Sequence, residues 1–253
     1  MLDELPALAF GGVLVAARTG GALMLLPGIG EPEVPPTVRL CLLLGLVALL
    51  MPPLAPGLPA MPDGAPELAR LVATESLIGV FLGFLARVAV LALAQAGQAA
   101  ALMIGLSSPL QTDAVFGAQG TATGRLLGLM AAVLVFETGL YALPLEGLAE
   151  SYAVLPPGEG LPVGEGAEAV AGAVAASFGL ALRLAAPLVL GAMLGQVALG
   201  LVARLAPNLQ VYAVAGAGQI LAGLLLLALV LPALVPVWSA AVQDAFLHLL
   251  EPR

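Results

Sequence analysis

The sequence contains no lysine, one cysteine and one histidine in 253 residues, and charged side chains make up only 9% of it. Each shortage excludes something. With 16 acidic against 8 basic side chains, all arginine, the formal net charge is −8, so there is no basic field to displace counterions from nucleic acid. The lone Cys41 rules out a disulfide framework, and its apolar surroundings read as a free thiol in lipid or packed protein rather than a nucleophile. His248 lies among Phe246, Leu247, Leu249 and Leu250, and a metal centre needs more nitrogen, sulfur or clustered carboxylate than this. A soluble domain carries about 25% charged residues to cover its surface. This chain falls far short of that.

What is present is hydrocarbon. Hydrophobic residues reach 61% and the mean hydropathy is +1.09. Apolar stretches fall near 5–27, 38–55, 68–94, 126–143, 170–202 and 211–238, and a weaker seventh at 96–106 continues the third. Several approach or exceed the roughly 18–20 residues that cross a bilayer core. The expectation is an all-α membrane-embedded protein of six to seven partly broken segments forming hairpins, in a single domain. The start, Met1-Leu2-Asp3-Glu4, lacks the positive charge of a cleaved signal peptide, so the first segment is expected to stay in the mature chain.

The connections are marked by proline, glycine and acid. Residues 28–37 hold Pro32, Pro35 and Pro36 and cannot be helical throughout. Residues 52–66 hold Pro52, Pro53, Pro56, Pro59, Pro62 and Pro66 and read as extended or turning. Residues 144–168 carry Glu146, Glu150, Glu159, Glu165 and Glu168 with no basic residue, which favours the outer side of a membrane, while Arg204 favours the cytoplasmic side. The 31 glycines and 21 prolines exceed soluble usage. In membrane helices small residues four apart mark close contacts, as at Gly79 with Gly83 and Gly191 with Gly195.

Ionised groups inside apolar runs each need a reason, because burial in hydrocarbon costs about 2.5–3.5 kcal/mol or more. Arg18, Glu75, Arg87, Glu137, Arg183 and Arg204 are such groups. Snorkelling or interhelical pairing accounts for them on one reading, and a pore or assembly interface on the other. Glu75 and Arg87 are too far apart on one helix to pair with each other. No acid pair at helical spacing, no nucleophile with a base and no phosphate loop is present, so enzyme activity and cofactors are not expected.

Several motifs, in order, resemble the FliR family, the R subunit of the flagellar export gate and of its virulence counterpart in type III secretion. They are Arg18 running into Pro27, then Val34-Pro35-Pro36 and Arg39; Glu75 with Gly79 and Gly83; and Ala96-Gly97 followed by Ile104-Gly105-Leu106-Ser107 and Asp113. Next come Ser151-Tyr152 with Leu155-Pro156, and finally Pro187 with the run Leu199-Gly200-Leu201-Val202-Ala203-Arg204-Leu205-Ala206-Pro207-Asn208-Leu209-Gln210-Val211-Tyr212, the most specific of the set. The chain departs from the family at Gly139-Leu140-Tyr141, where an asparagine-glycine-histidine triplet is common. It departs again after Ser107, where no aromatic appears before Phe116.

The resemblance implies a non-enzymatic subunit of the bacterial flagellar export gate, in the inner membrane at the basal body. There it joins P and Q subunits and other export-apparatus membrane proteins, contacts lipid, and helps form and close a channel for unfolded substrates. One R chain is similar to a fused unit, P-like over about 1–165 and Q-like over 166–253. On this basis the 105–118 turn, with Leu106, Pro109, Leu110 and Phe116, is expected to plug the pore, the alternative being an ordinary interhelix connection. Arg18, Glu75, Gly79, Gly83, Arg204 and Pro207 are expected to serve assembly. The runner-up is a stand-alone secondary transporter with broken helices at 28–37 and 203–210. Against it stand the absence of an inverted repeat and of a coherent polar binding cluster.

Overall fold

Long uncharged runs leave the backbone no partner but itself, and a helix satisfies every N–H and C=O within one segment. The computed structural model describes residues 5–104, 121–205 and 211–250, and every long element among them is an α-helix. In chain order these are α1 (Leu5–Leu25), α2 (Pro36–Leu54), α3 (Ala65–Ile104), α4 (Ala122–Glu137), α5 (Ala142–Val154), α6 (Val163–Leu205) and α7 (Val211–Leu250). Five helical stretches are long and apolar enough to cross a membrane, and the bent α4–α5 pair brings the count to as many as six. The protein is all-helical and membrane-embedded.

The seventh apolar stretch continues the third as expected, in one 40-residue helix, α3, because Gln95-Ala96-Gly97-Gln98 contains no proline and one glycine does not stop a helix. Two boundaries differ from the sequence pattern. Pro52 and Pro53 lie inside α2, in its last turn, before a 3-10 turn at Ala55–Gly57. The acidic 144–168 stretch is mostly helix: α5 and the start of α6 take all but residues 155–162. Glutamate is a good helix former, and its side chains here face out. Between α4 and α5 the chain bends by 71° at Gly139, whose φ of +74° is a left-handed conformation that ends a helix without a side-chain clash.

The chain forms two compact units. The first comprises Met1–Val90, Ala132–Val174 and Gln243–Arg253. Its centre is α1: Ala22, Leu23 and Leu26 pack with Ile29, Leu148 and the half-buried Leu42, Leu43, Leu46, Leu82 and Leu145, while Phe10 and Leu14 pack with Leu71. Two arginines pin the turn between α1 and α2. Arg39 Nη2 donates to the Glu31 and Val34 carbonyls at 2.7 and 2.9 Å. Arg87 on α3 pairs with Glu31 Oε2 at 3.2 Å and reaches the Leu25 carbonyl at the end of α1. The second unit comprises Leu91–Ala131 and Ala175–Val242. It buries Leu93, Ala96, Leu127, Leu184, Leu188 and Trp238. In its last turn α3 has carbonyls without helical partners, and Gln196 and Gln219 both donate to that of Met103, at 3.4 and 3.5 Å.

Glycine sets how closely α1 and α3 approach. A β-carbon at Gly83 would lie 2.5 Å from the Ala22 carbonyl oxygen, and one at Gly79 would collide with the Arg18 carbonyl. From α1, a β-carbon at Gly21 would meet the Ser76 carbonyl at 2.6 Å. Gly83→Ala should therefore force the helices apart and lower stability by about 1–3 kcal/mol. Gly45→Ala on α2, where a β-carbon meets open space, should be neutral or slightly stabilising. Denaturant unfolding of the two full-length variants in detergent separates these outcomes. Equal stability of the two would contradict backbone contact at Gly83.

Candidate functional site

The close approach of α1 and α3 brings together two of the charges that the sequence leaves unexplained. Arg18 and Glu75 are both fully buried, and Arg18 Nε lies 2.7 Å from Glu75 Oε2. The position follows from the packing, since Glu75 sits one helical turn before Gly79, which lies against the Arg18 backbone.

The rest of the guanidinium is used on α5. Nη1 donates to the Ser151 carbonyl and to Ser151 Oγ, both at 3.2 Å, and Nη2 donates to the Leu155 carbonyl at 2.9 Å. These carbonyls belong to the C-terminal turn of α5, where negative potential accumulates; that of Ser151 also accepts the Leu155 N–H at 2.8 Å. The Tyr152 ring lies under the guanidinium with its centroid 4.2 Å from Cζ. The Tyr152 hydroxyl reaches back to the Val15 carbonyl at 3.4 Å, and Ser151 Oγ donates to the Leu148 carbonyl at 2.7 Å.

The second carboxylate oxygen of Glu75 is also occupied. Glu75 Oε1 accepts the Gly158 N–H at 3.0 Å. Gly158 has φ +93°, a conformation that disfavours any residue with a β-carbon, and it presents its N–H inward from the 155–162 connection. One ion pair thus joins α1, α3, the end of α5 and the chain leading into α6.

The Glu75 carboxylate is paired with Arg18 and hydrogen-bonded at both oxygens. Among the described residues no group of three or more His, Cys, Asp or Glu side chains is placed to hold a metal ion. An open apolar groove of about 620 Å³, lined by Thr74, Leu77 and Phe81 of α3 with Leu161, Val163 and Val170, contains no charged side chain. What the node can do chemically is hold four chain segments in one register without an unpaired buried charge.

The structure therefore brings together Arg18, Glu75, Gly79 and Gly83 inside one chain. Arg204 belongs to the second unit and is exposed at the end of α6. Leu106, Pro109, Leu110, Phe116 and Pro207 lie outside the described residues. The sequence pattern contained Ser151, Tyr152 and Leu155 as a motif without a role, and passed over Gly158 and Glu31. The Pro156-Pro157-Gly158-Glu159 run is a turn signal that marks the glycine, but nothing local points from it to Glu75.

Comparison with known proteins places this geometry in a wider set. A family model described as bacterial export proteins, family 1, matches residues 9–245. The flagellar biosynthetic protein FliR of Caulobacter vibrioides is 33% identical over 94% of this chain and 93% of its own length. FliR of Escherichia coli K12 is 30% identical over 87% of this chain and 84% of its own length. The Yop proteins translocation protein T of Yersinia pestis is 28% identical over 67% of this chain and 66% of its own length.

Removing one member of a fully buried ion pair strands the other, at a cost of about 3–5 kcal/mol. Arg18→Met and Glu75→Leu should each lose that much. The double variant should lose distinctly less than the sum, because no charge is left unpaired. Arg18→Lys keeps the charge but not the planar fork that reaches Glu75, Ser151 and Leu155 together, and should fall between wild type and Arg18→Met. A double-mutant cycle by denaturant unfolding in detergent measures the coupling. Strict additivity would mean that the pair does not act as a unit.

Proposed function

The chain belongs to the FliR family of bacterial export proteins, and from that premise we propose that it is a non-enzymatic subunit of the flagellar type III export gate in the bacterial inner membrane, at the basal body. The observation that carries this reading is the extent of the match, which runs from residue 9 to residue 245 of 253. Relatives named for flagellar biosynthesis and for Yop translocation both align over two thirds or more of the chain, and protein export is common to the two.

The physical character of the helices supports it. In α2 no residue is buried, and Val38, Leu40, Leu44 and Leu49 expose more than half their surface. Such faces need lipid or other subunits around them. The partners are P and Q subunits of the gate together with other membrane proteins of the export apparatus, and unfolded substrates pass through the channel they enclose. Within the chain, about 1–165 corresponds to a P-like portion and 166–253 to a Q-like portion. The Arg18–Glu75 node holds the subunit in the shape its neighbours receive.

Co-expression with P and Q partners and affinity purification through this chain, followed by native mass spectrometry, tests the assignment. The expected result is one discrete complex containing all three proteins. A stable species of this chain alone, under conditions where P and Q assemble without it, would favour a stand-alone transporter instead. For the channel itself, the 105–118 turn supplies the closure through Leu106, Leu110 and Phe116, with Pro109 limiting its conformations. Replacing Leu110 and Phe116 by glycine should raise ion leak across energised membranes that contain the assembled gate. Unchanged leak would remove the plug role from this turn.

A further inference from the structure

Charge is divided unevenly between the two units. All of the chain's 16 acidic residues except Asp113 belong to the first unit, together with only Arg18, Arg39, Arg70, Arg87 and Arg253 of its 8 basic residues. The described arginines among these are engaged internally. Arg18 is paired with Glu75, Arg70 with Glu67 and Arg87 with Glu31, and Arg39 is held by two backbone carbonyls. Glu146, Glu150, Glu159, Glu165 and Glu168 are all exposed, and no hydrogen bond or ion pair joins any of them to another described residue. The surface of this unit is therefore strongly negative.

The open apolar groove of the same unit is built partly from that acidic stretch. Thr74, Leu77 and Phe81 form its α3 wall, and Leu161, Val163 and Val170 belong to the other. Glu159, Glu165 and Glu168 are each the chain neighbour of a lining residue. At about 100° per residue Glu165 and Glu168 turn away from Val163 and Val170, which puts them about one helix diameter from the groove. That distance is comparable to a Debye length of about 8–10 Å, so their field reaches it. The walls themselves offer a ligand nothing polar. The Thr74 hydroxyl, the one polar side chain among the lining residues, donates to the Arg70 carbonyl at 2.9 Å. Leu77 and Val163 expose 58% and 80% of their surface. Each helical wall runs about 10 Å along its axis, the length of two turns of a facing helix.

We propose that this groove docks an apolar helical segment of a partner subunit, and that the segment carries lysine or arginine beside its apolar stretch. The walls select the first property. The surrounding carboxylates select the second, because they favour a cation and oppose an anion at the same place. A second copy of this chain, with a net charge of −8, is opposed by that field. So is a phosphate headgroup entering with an acyl chain. The inference rests on the reading that the chain assembles with other subunits, and adds the chemistry of one contact.

A photoreactive benzoylphenylalanine in place of Leu77 tests the groove in the full chain in neutral detergent. The same group in place of Leu44, on the exposed face of α2, is the comparison. Two peptide probes share a helical leucine–alanine core and differ only in carrying two lysines or two glutamates at each end. The lysine-flanked peptide should label position 77 at least about tenfold more than the glutamate-flanked one, and more than it labels position 44. The preference should shrink at high salt and in the variant Glu159→Gln/Glu165→Gln/Glu168→Gln. Equal labelling by the two peptides would overturn the charge assignment, and equal labelling at 77 and 44 would overturn the groove. In the co-expressed assembly, the adduct at position 77 should map to an apolar segment of a partner with lysine or arginine beside it. An adduct with a second copy, with lipid alone, or with a segment lacking a basic residue would overturn the proposal. Failure of the assembly to form would count against the gate reading, while the peptide comparison, which needs no assembly, still decides the groove.

Discussion

The first unit depends on how closely α1 and α3 can lie together. Glycines at 21, 79 and 83 bring the two backbones into contact, and only at that separation does Arg18 reach Glu75 at 2.7 Å. The two features support one another. Without the ion pair, the contact would bury a charge in a medium where an isolated guanidinium is costly. Without the glycines, the pair would be held apart and the space between it open. The network beyond the pair grows from the same geometry, since the C-terminal turn of α5 and the Gly158 amide fill the hydrogen-bonding positions that a helix–helix ion pair leaves open.

This dependence offers a physical account of a chain with eight basic residues and no lysine. At Arg18 the side chain contacts a carboxylate of α3 and a hydroxyl and two carbonyls at the end of α5, with an aromatic ring beneath it. Arg39 joins two carbonyls of the turn before α2, and Arg87 joins a carboxylate and a carbonyl. An ammonium carries three donors around a single nitrogen, whereas the guanidinium spreads five over a rigid plane and is less strongly hydrated. At these three buried or half-buried positions the basic residue serves as a connector, and arginine connects more points per charge.

Much of this was legible from residue types alone. Charges in apolar sequence singled out Arg18 and Glu75, and four-residue spacing singled out Gly79 and Gly83, because both patterns cost stability unless something repays them. That Glu75 and Arg87 do not pair with each other also followed from helix geometry. The partner of each charge did not, since Glu75 is 57 residues from Arg18 and Ser151 is 133. The acidic 144–168 stretch was misjudged because charge and proline were counted together: the prolines of its loop cluster at 156, 157 and 162, and the glutamates before and after them are compatible with helix. Residues 105–120, where the gate turn was placed, lie outside the described part of the chain.

The same reasoning about charge sorts the remaining arginines. A guanidinium in a low-dielectric setting must either be neutralised by a carboxylate or sit where water or phosphate can reach it. Arg18 takes the first course and Arg87 takes it in part, with both partners of the Glu31 pair still about one quarter exposed. Arg183 and Arg204 lie exposed on α6, and neither is paired with a described carboxylate. The buried pair in the first unit fixes how its helices meet, whereas the two exposed arginines of α6 carry none of the described internal hydrogen bonds.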